Sequence, residues 1–451
     1  MSSLRVGPAV SLRGCIRVPG DKSISHRALL LAALAEGTSR IEGFLPSHDC
    51  LATLRCLEAL GVEVTFQEPT TVTVHGRGLH GFDPPREPLD CARSGTTMRL
   101  LTGVLAAQPF RSVLTGDPGL NRRPMERVAE PLRRMGADVQ TADGHAPLTI
   151  QGPKNSRGRL HGIVHRLQVP SAQVKSALLL AGLYADGPTT VVEPAPARDH
   201  TERLLRWQGV DLRVEGPAVT VYPPARLPPF SLRIPGDFSS AAFLLVAALL
   251  VPGSEVTVTG VGVNPTRTGL LDVLRAMGAE VRVSYDSASG PEPVGAVIAR
   301  ASQLSGVEIS GDTVVRMIDE FPILAVAATQ AHGRTVVRDA AELRVKESDR
   351  IAALVEELRR LGARIDPLPD GFVVYGPSSL HGGILDSHGD HRLAMTLAIA
   401  GLVADGAVTV QGAERIQDSF PGFVPLLEEI GVDDVEWSDA AGGSDRLADG
   451  P

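Results

Sequence analysis

Lysine is scarce in this chain of 451 residues. Lysine and arginine together number 44, but only four of these are lysines: Lys22, Lys154, Lys175 and Lys346. A lysine ammonium is a compact charge whose pKa shifts readily, whereas arginine offers a rigid and permanently charged fork. Lys22 and Lys346 each lie beside polar residues at the start of an apparent helix, so they are the leading functional candidates. Lys154, in the polar stretch GPKNSRG, is expected to be solvated. Lys175 is either a site residue or, as we favour, a half-buried helix residue.

Cysteine, long apolar runs and excess positive charge are also lacking. Cys15, Cys50, Cys56 and Cys91 show no CxxC spacing, which favours reduced core thiols in a cytosolic protein. The chain does not start with a basic segment followed by an apolar one, so we expect no signal peptide. No apolar stretch approaches the roughly 20 residues that a membrane-spanning helix needs. The net charge of −8 argues against broad binding to nucleic acid or membranes, so an anionic ligand would need a local group of cations.

A segment near the N-terminus recurs in the middle of the chain. Residues 17–37 read RVPGDKSISHRALLLAALAEG, and residues 233–253 read RIPGDFSSAAFLLVAALLVPG. Because the second copy shows what the fold alone requires, differences between the copies point to function. The first copy has Lys22, His26 and Arg27 where the second has Phe238, Ala242 and Phe243. The three basic residues indicate an anionic ligand.

The doubled segment belongs to a longer pattern of six units. Each unit has an apolar helix, a short strand, and a second, amphipathic helix that ends in glycine before another strand. These terminal glycines are Gly61, Gly136, Gly209, Gly278, Gly362 and Gly431. The first helix of each unit is apolar on nearly every face, so we expect these helices to be buried.

The pattern predicts an α/β fold of two domains, each built from three units. The segments RVPGD and RIPGD mark the two places where the chain would cross between the domains, and their Pro and Gly residues suit a hinge. The expected boundaries are 21–234 for the first domain and 1–20 plus 235–432 for the second, with a ligand cleft between them. Residues 433–451 are acidic and rich in Gly and Ala, so we expect a disordered tail.

Polar residues that do not repeat cluster at the expected N-termini of the buried helices, where backbone N–H groups and the helix dipole favour anions. In chain order they are Lys22, Ser23, Arg27, Ser94, Gly95, Thr96, Thr97, Arg122, Arg123, Ser171, Gln173, Arg198, Asp319, Glu320, Lys346, Glu347, Arg350, Asp390, His391 and Arg392. Cations beside hydroxyls are typical of a site for more than one phosphate or carboxylate. Asp319 and Glu320 place carboxylates at such a site, which a general base would explain. His388 and His391 have no evident third ligand, so no metal is expected.

The motifs resemble those of the 5-enolpyruvylshikimate-3-phosphate synthase family, in the bacterial class whose first motif begins PGDKS. Across nearly all of the chain except the acidic tail, they appear in the family's order: PGDKSISHR, SGTTMR, RRP, PSAQVKSA, RDHTE, NPTRTG, MIDEFP, LRVKESDR and DHRLAM. The family fold has two domains, each with three βαβαββ units and the helices inside. The resemblance implies transfer of the carboxyvinyl group of phosphoenolpyruvate to the 5-hydroxyl of shikimate 3-phosphate, through a tetrahedral ketal and with release of phosphate. It implies no metal and no cofactor. We expect a cytoplasmic monomer with these small-molecule substrates and no nucleic-acid or membrane partner.

The resemblance also implies residue roles. Asp319 would take the proton from the 5-hydroxyl, Glu347 would protonate the phosphoenolpyruvate methylene and later remove that proton, and Lys22 would assist catalysis. Shikimate 3-phosphate would contact Lys22, Ser23, Arg27, Ser171, Gln173, Arg198, Asp319 and Lys346. Phosphoenolpyruvate would contact Lys22, Gly95, Arg123, Gln173, Arg350 and Arg392. Glyphosate competes with phosphoenolpyruvate in the family, and a pocket wall formed by Gly95 should admit it.

Three positions depart from family patterns. Arg93 stands where the family usually has Asn, two residues before Gly95. Ala172 replaces the second serine of a pair found in one class, although alanine is normal in the class that this chain resembles. Asp418 lies where one class has a lysine that binds phosphoenolpyruvate, so we assign it no ligand role.

Two alternative functions remain open. The enolpyruvyl transferase that acts on UDP-N-acetylglucosamine shares the fold, but it relies on a cysteine in a mobile loop, and the comparable segment GDPGLNRRP has none. A non-catalytic repeat protein could bind phosphorylated ligands. Asp319 and Glu347 argue against that reading, because pure anion binding would exclude carboxylates.

Overall fold

The computed structural model describes residues 2–153, 159–287 and 290–439. Lys154 and the part of the expected tail from residue 440 onward lie outside the described residues. Within them, no helix has the length and apolar character needed to cross a membrane.

Short strands and helices alternate along the chain. The strands are β1 (Ser3–Val6), β2 (Arg13–Ile16), β3 (Glu36–Glu42), β4 (Glu63–Glu68), β5 (Thr71–Arg77), β6 (Leu89–Asp90), β7 (Arg111–Thr115), β8 (Asp138–Ala142), β9 (His145–Gln151), β10 (Val164–Arg166), β11 (Thr189–Val192), β12 (Leu212–Glu215), β13 (Ala218–Val221), β14 (Ser231–Arg233), β15 (Glu255–Gly262), β16 (Glu280–Tyr285), β17 (Val294–Arg300), β18 (Glu308–Ile309), β19 (Gly333–Val337), β20 (Arg364–Leu368), β21 (Gly371–Gly376), β22 (Gly383–Asp386), β23 (Val408–Gln411) and β24 (Val435–Ser438). The α-helices are α1 (Lys22–Ala33), α2 (His48–Ala59), α3 (Gly95–Leu105), α4 (Pro118–Asn121), α5 (Glu126–Arg134), α6 (Ala172–Gly182), α7 (His200–Trp207), α8 (Phe238–Leu250), α9 (Gly269–Ala276), α10 (Asp312–Arg316), α11 (Phe321–Gln330), α12 (Arg350–Arg360), α13 (His391–Gly401) and α14 (Phe423–Glu429). Two 3₁₀ turns span Ala341–Val345 and Ala413–Asp418.

Within the described residues, the strands form six four-stranded sheets with one shared topology. Their orders are β14-β3-β5-β4, β6-β7-β9-β8, β10-β11-β13-β12, β2-β15-β17-β16, β18-β19-β21-β20 and β22-β23-β1-β24. In each sheet the first pair is parallel and the other two pairs are antiparallel. The predicted fold of six repeated α/β units is therefore confirmed.

The second helices end as the sequence predicts. All six terminal glycines have φ between 84° and 99°, in the left-handed region that glycine enters without steric cost. The first helices (α1, α3, α6, α8, α11 and α13) are buried along most of their length, and the partly exposed residues lie at their ends: Lys22, Ser23, Thr96, Ala172, Gln173, Leu250 and Gln330. An apolar helix of this kind needs neighbours on every side, which three sheets arranged around three helices provide.

The apolar core has two separate clusters. One comprises residues between Ile24 and Ile234, and the other comprises Leu4–Val18 together with residues between Phe238 and Val432. This partition supports the expected boundaries, and we propose 21–234 and 1–20 plus 235–432 as the two domains, called here the first and second halves.

The two repeated segments cross side by side at the junction of the halves. The N–H of Asp21 donates to the carbonyl of Pro235 at 2.8 Å, and the N–H of Asp237 donates to the carbonyl of Pro19 at 2.8 Å. Gly20 fits here because a Cβ would lie 1.8 Å from the carbonyl oxygen of Gly43. The two crossing segments are thus closely packed against each other.

One expectation about the C-terminus was wrong. Residues 435–438, placed in the disordered tail, form β24, which pairs antiparallel with β1. The side chain of Trp437 packs against the core of the second half. The acidic composition of the whole segment obscured this short strand, whose partner lies at the other end of the chain.

Candidate active site

A cavity of about 200 Å³ lies between the halves and takes side chains from both. All six buried first helices direct their N-termini toward it. The lining residues at these helix starts are Lys22, Ser23, Gly95, Thr96, Ser171, Ala172, Gln173, Asp237, Ser239, Asp319, His391 and Arg392. Because each helix N-terminus carries partial positive charge and free N–H groups, their convergence favours anionic ligands.

Several polar residues near the cavity cap these helices. The side chains of Asp21, Ser94, Ser171 and Asp390 accept hydrogen bonds from backbone N–H groups in the first turns of α1, α3, α6 and α13. Asp390 also pairs with Arg350, with 2.8 Å between Oδ2 and Nε. The structure thus accounts for Ser94 and Asp390 as caps, and neither lines the cavity.

Asp319 lies among four basic side chains. Its carboxylate pairs with Arg198 of the first half, and lies 3.2 Å from Arg350 Nη1, 3.6 Å from Arg392 Nη2 and 3.8 Å from Lys346 Nζ. Burial alone would raise the pKa of Asp319, but Arg392, Arg198, Lys346 and Arg350 hold it well below its ordinary value. The carboxylate is therefore ionised, and it joins the two halves.

The Lys346 ammonium shares this environment. Burial, together with the nearby Arg350 and Arg198, lowers the pKa of Lys346, although the Asp319 carboxylate acts in the opposite direction. A lysine of lowered pKa gives up a proton more readily than an exposed one. The scarcity of lysine had pointed to this residue.

Glu347 faces the first half. Its Oε1 lies 3.4 Å from Arg123 Nη1, and its other oxygen accepts from Arg350. Burial would raise the pKa of Glu347, but Arg350 and Arg123 hold it well below its ordinary value. Gly95 adjoins the same corner, where a Cβ would lie 3.1 Å from Arg123 Nη1.

Lys22 has a carboxylate partner that the sequence did not reveal. Its Nζ lies 3.1 Å from Asp49 Oδ2, and both residues line the cavity. Burial lowers the pKa of Lys22, yet the Asp49 carboxylate outweighs it and the pKa is raised. Burial also raises the pKa of Asp49. Lys22 is thus held charged and in place.

Gln173 is held by two neighbours. Its carbonyl oxygen accepts from Arg99 Nη1, and its amide donates to the Thr96 hydroxyl at 2.9 Å. Among the described residues, no carboxylate pairs with Arg99, and burial lowers its pKa to about 9. Arg99 is therefore a buried basic group beside the cavity with capacity for an anion.

The structure does not bring all the predicted cations to the cavity. The Arg27 guanidinium is buried and donates to the hydroxyls of Thr201 and Ser176, both at 2.8 Å. Burial lowers its pKa to about 10. His26 is buried too, with Nδ1 2.7 Å from the Thr53 hydroxyl. Of the three basic residues in the first copy, only Lys22 lines the cavity.

Other candidates also lie outside the lining. Ser94, Thr97, Arg122, Glu320 and Asp390 are absent from it, and Glu320 is buried with Arg267, 3.5 Å away. The expectation that Lys175 is half-buried was wrong. It is fully buried between Glu193 at 2.8 Å and Glu202 at 2.6 Å. His388 lies 2.9 Å from Glu357, away from the cavity.

Sequence reasoning missed several lining residues. The polar ones are Asp49, Arg99, Arg127, Asp237, Ser239, Arg267, Asp339 and Glu342. Arg99 and Arg267 belong to the motifs SGTTMR and NPTRTG, so basic residues within those motifs were a usable signal. No pattern marked Asp49 or Glu342, because their importance comes from partners distant in sequence.

Comparisons with known proteins identify the family of the chain. The family model of EPSP synthase (3-phosphoshikimate 1-carboxyvinyltransferase) matches residues 6–427. The 3-phosphoshikimate 1-carboxyvinyltransferase of Pelotomaculum thermopropionicum is 53% identical over 433 residues, covering 95% of this chain and 99% of that protein. That of Geobacter sulfurreducens is 51% identical over 434 residues, covering 96% and 100%.

Solved structures show the same likeness. EPSP synthase from Acinetobacter baumannii superposes with a TM-score of 0.86 at 43% identity, covering 97% of this chain and 100% of that one. The enolpyruvyl transferase NikO from Streptomyces tendae has a TM-score of 0.78 at 21% identity, covering 97% and 99%, and shares the fold. With a family match over most of its length and relatives at about half identity, the chain belongs to the EPSP synthase family.

Proposed function

We propose that the protein transfers the enolpyruvyl group of phosphoenolpyruvate to the 5-hydroxyl of shikimate 3-phosphate and releases phosphate. One observation carries the proposal. Two ionised carboxylates, Asp319 and Glu347, lie among cations in a cavity between the halves, which suits two anionic substrates and proton transfer between them.

Asp319 is the proposed base for the 5-hydroxyl. In the free protein its pKa is too low for strong basicity, because four cations stabilise the charged form. A phosphate and a carboxylate bound to those cations would offset their charge and raise the Asp319 pKa. Substrate binding would thereby prepare the base.

Glu347 is the proposed proton donor to the methylene carbon of phosphoenolpyruvate. It is ionised in the free protein, so it must first take up a proton, and the anionic groups of phosphoenolpyruvate would favour this by offsetting the charges of Arg350 and Arg123. In the addition step, the methylene gains a proton while the substrate oxygen bonds to the neighbouring carbon, which gives the tetrahedral ketal. In the elimination step, the methyl group loses a proton, the double bond re-forms and the bond to phosphate breaks. Lys22, held by Asp49, would stabilise the departing phosphate.

The remaining binding roles stay proposals. For shikimate 3-phosphate they fall to Lys22, Ser23, Ser171, Gln173, Arg198, Asp319 and Lys346, all of which line the cavity. For phosphoenolpyruvate they fall to Lys22, Gly95, Arg123, Gln173, Arg350 and Arg392, which also line it. Arg27 does not line the cavity, but its bonds to Thr201, Ser23 and Ser176 use three of its five N–H groups, so its binding role also stays a proposal. The cytoplasmic location, the monomeric state and independence from a cofactor stay predictions.

A phosphate-release assay tests the proposal. Phosphoenolpyruvate is supplied with shikimate 3-phosphate, with UDP-N-acetylglucosamine, or alone. Release only with shikimate 3-phosphate is the expected result. Release with the nucleotide sugar would establish the alternative transferase, and no release with either would favour a binding protein.

The Asp319→Asn variant tests the base. The amide keeps the shape of the side chain and loses the proton acceptor, so turnover should fall roughly 100- to 10,000-fold while both substrates still bind. Binding is followed by calorimetry. Turnover close to that of the unaltered protein would remove Asp319 from the mechanism.

A further inference from the structure

Arg93 reaches across the cleft from the turn before α3. Its Nη2 donates to the carbonyl of Gly389 at 2.7 Å, and its Nε lies 3.5 Å from Asp418 Oδ2, both in the second half. Its Nη1 lies 3.2 Å from Asp117 Oδ2 in its own half. One guanidinium therefore bridges three separate segments.

Asp418 of the second half contacts two residues of the first half. Its side chain is 6% exposed, at the end of the 3₁₀ turn Ala413–Asp418. Its Oδ1 lies 3.1 Å from Nδ1 of His48 in the first half, and its Oδ2 lies near Arg93. The hydrogen bond to Asp418 raises the pKa of His48, which favours the charged ring beside the carboxylate. A buried carboxylate of the second half thus has two partners in the first, which lie closer to it than Arg415 Nη1 of its own half, at 4.0 Å from Oδ2.

The joined segments all lead to the proposed phosphoenolpyruvate contacts. Arg93 comes two residues before Gly95, and Gly389 comes three residues before Arg392. Asp117 caps the short helix α4, which precedes Arg123. His48 is followed by Asp49, the partner of Lys22.

The pair of His200 and Glu292 also joins the halves away from the cavity, but three other ion pairs between the halves differ in one respect. Arg198–Asp319, Arg123–Glu347 and Arg127–Glu342 all border the cavity, where anionic substrates compete for the basic partner. None of His48, Arg93, Asp117, Gly389 and Asp418 lines the cavity. Contacts among these five residues can therefore persist while substrates are bound.

We propose that Arg93 and Asp418 form a clasp that positions the phosphoenolpyruvate side of the site. The clasp holds the Gly389–Arg392 segment of the second half against the start of α3 in the first. Arg93 and Asp418 touch no proposed substrate atom, so they are positioning residues. They are also two positions where the sequence departs from the family pattern, and here they contact each other. The inference rests on the proposed function, because it assigns phosphoenolpyruvate to that side.

Removing Arg93 should weaken the contact between the two halves more than the fold of either half. In the closed protein, Asp418 is buried, and loss of one partner leaves its charge poorly compensated. When the halves separate, water solvates the Asp418 carboxylate, so the loss of Arg93 has little effect on its free energy. Closure around phosphoenolpyruvate should therefore weaken.

Steady-state kinetics of Arg93→Gln, Asp418→Asn and the double variant test the clasp. Arg93→Gln should raise the KM for phosphoenolpyruvate about tenfold, the loss expected for a hydrogen bond to a charged group. The KM for shikimate 3-phosphate and the melting temperature should change little. The double variant should be less impaired than the two single effects combined, because the partners share one interaction.

Arg77→Gln is the matched control. Arg77 also bonds to a carboxylate and to backbone carbonyls, those of Asp83, Gly61 and Gly81, but all of them lie in its own half. Its loss should leave both KM values unchanged. The clasp would be overturned if Arg93→Gln kept the KM for phosphoenolpyruvate within twofold of that of the unaltered protein. It would also be overturned if both KM values rose equally and the melting temperature fell.

Small-angle scattering separates failure of the clasp from failure of the proposed function. Without substrates, Arg93→Gln should have a larger radius of gyration than the unaltered protein and Arg77→Gln. The radius of gyration tests the clasp even if the unaltered protein releases no phosphate. Absence of phosphate release would refute the proposed function alone. A radius equal to that of Arg77→Gln would refute the clasp.

Discussion

Replacing Gly95 with alanine should weaken inhibition by glyphosate without weakening the fold. Gly95 is the first residue of α3 and its backbone is helical, so alanine adopts the same conformation. In a helix, alanine is favoured over glycine by about 0.5–1 kcal/mol. The cost must therefore come from what the new methyl group meets.

The methyl group would meet two guanidinium groups. The added Cβ would lie 2.9 Å from Arg99 Nη1 and 3.1 Å from Arg123 Nη1. Comfortable heavy-atom contacts begin at about 3.5 Å, so each group must retreat by about half an ångström. Both are the ends of flexible side chains, which makes the movement cheap for the fold.

The movement of the guanidinium groups should weaken the binding of ligands. Arg123 lines the proposed phosphoenolpyruvate pocket, and a hydrogen bond to a charged group contributes about 1.5–3 kcal/mol. Partial loss of one such bond corresponds to about a tenfold weaker complex. Glyphosate is longer than phosphoenolpyruvate and should lose more, because the methyl group also shortens the pocket.

The assay titrates glyphosate at several phosphoenolpyruvate concentrations. Competitive inhibition is expected for the unaltered protein, and the inhibition constant should rise at least about tenfold more than the KM in Gly95→Ala. The melting temperature should hold or rise slightly. Gly103→Ala in the same helix is the contrast, since its Cβ would lie 2.2 Å from the backbone oxygen of Ala177 and should destabilise the fold. Inhibition that ignores phosphoenolpyruvate, or equal tolerance in Gly95→Ala and the unaltered protein, would show that Gly95 does not form the pocket wall.

Four further predictions follow from the site. Lys22→Arg should impair turnover strongly although the charge is kept, because a planar guanidinium cannot replace the ammonium beside Asp49. Lys154→Arg should leave turnover unchanged, and equal effects of the two variants would contradict the argument from lysine scarcity. Shikimate 3-phosphate should raise the pKa of Asp319, because its negative charges offset the surrounding cations and favour protonation. Carbon-13 NMR of the carboxyl group, assigned with Asp319→Asn, measures this, and a fixed or lower pKa contradicts it. Shikimate 3-phosphate with a phosphoenolpyruvate mimic should reduce the radius of gyration in small-angle scattering, and an unchanged radius would indicate a preformed site. Lys175→Met should destabilise the protein by about 3–5 kcal/mol in denaturant titrations, because two buried carboxylates lose their cation, whereas a loss below about 1 kcal/mol would mean that water or protons replace it.

The repeat pattern predicted the fold well because each unit specifies itself locally. Apolar spacing marks the helices, and a glycine marks the end of each second helix. Comparing the doubled segments also identified Lys22 as a cavity residue. It did not separate Lys22 from Arg27, which lies about one helical turn deeper. Whether a cation faces the cavity or the wall depends on Thr201 and Ser176, which no local pattern connects to it.

The missed features share a dependence on distant partners. Asp49 matters because Lys22 lies 3.1 Å away, and Lys175 is buried because Glu193 and Glu202 neutralise it. Burial of a charged group follows from such pairing, and composition alone argued for half-exposure. A single sequence carries no record of these pairings.

The placement of β1 has a consequence for synthesis of the chain. Ser3–Val6 lies between β23 and β24, so β1 leaves the ribosome long before the two strands that pair with it. At about 5–20 residues per second, it waits roughly 20–90 s for them. The sheets of the first half need nothing beyond Arg233, so that half can fold while β1 and β2 stay unpaired. Until β23 and β24 are synthesised, β1 keeps both of its edges open, and open strand edges are the surfaces most exposed to aggregation and to chaperones.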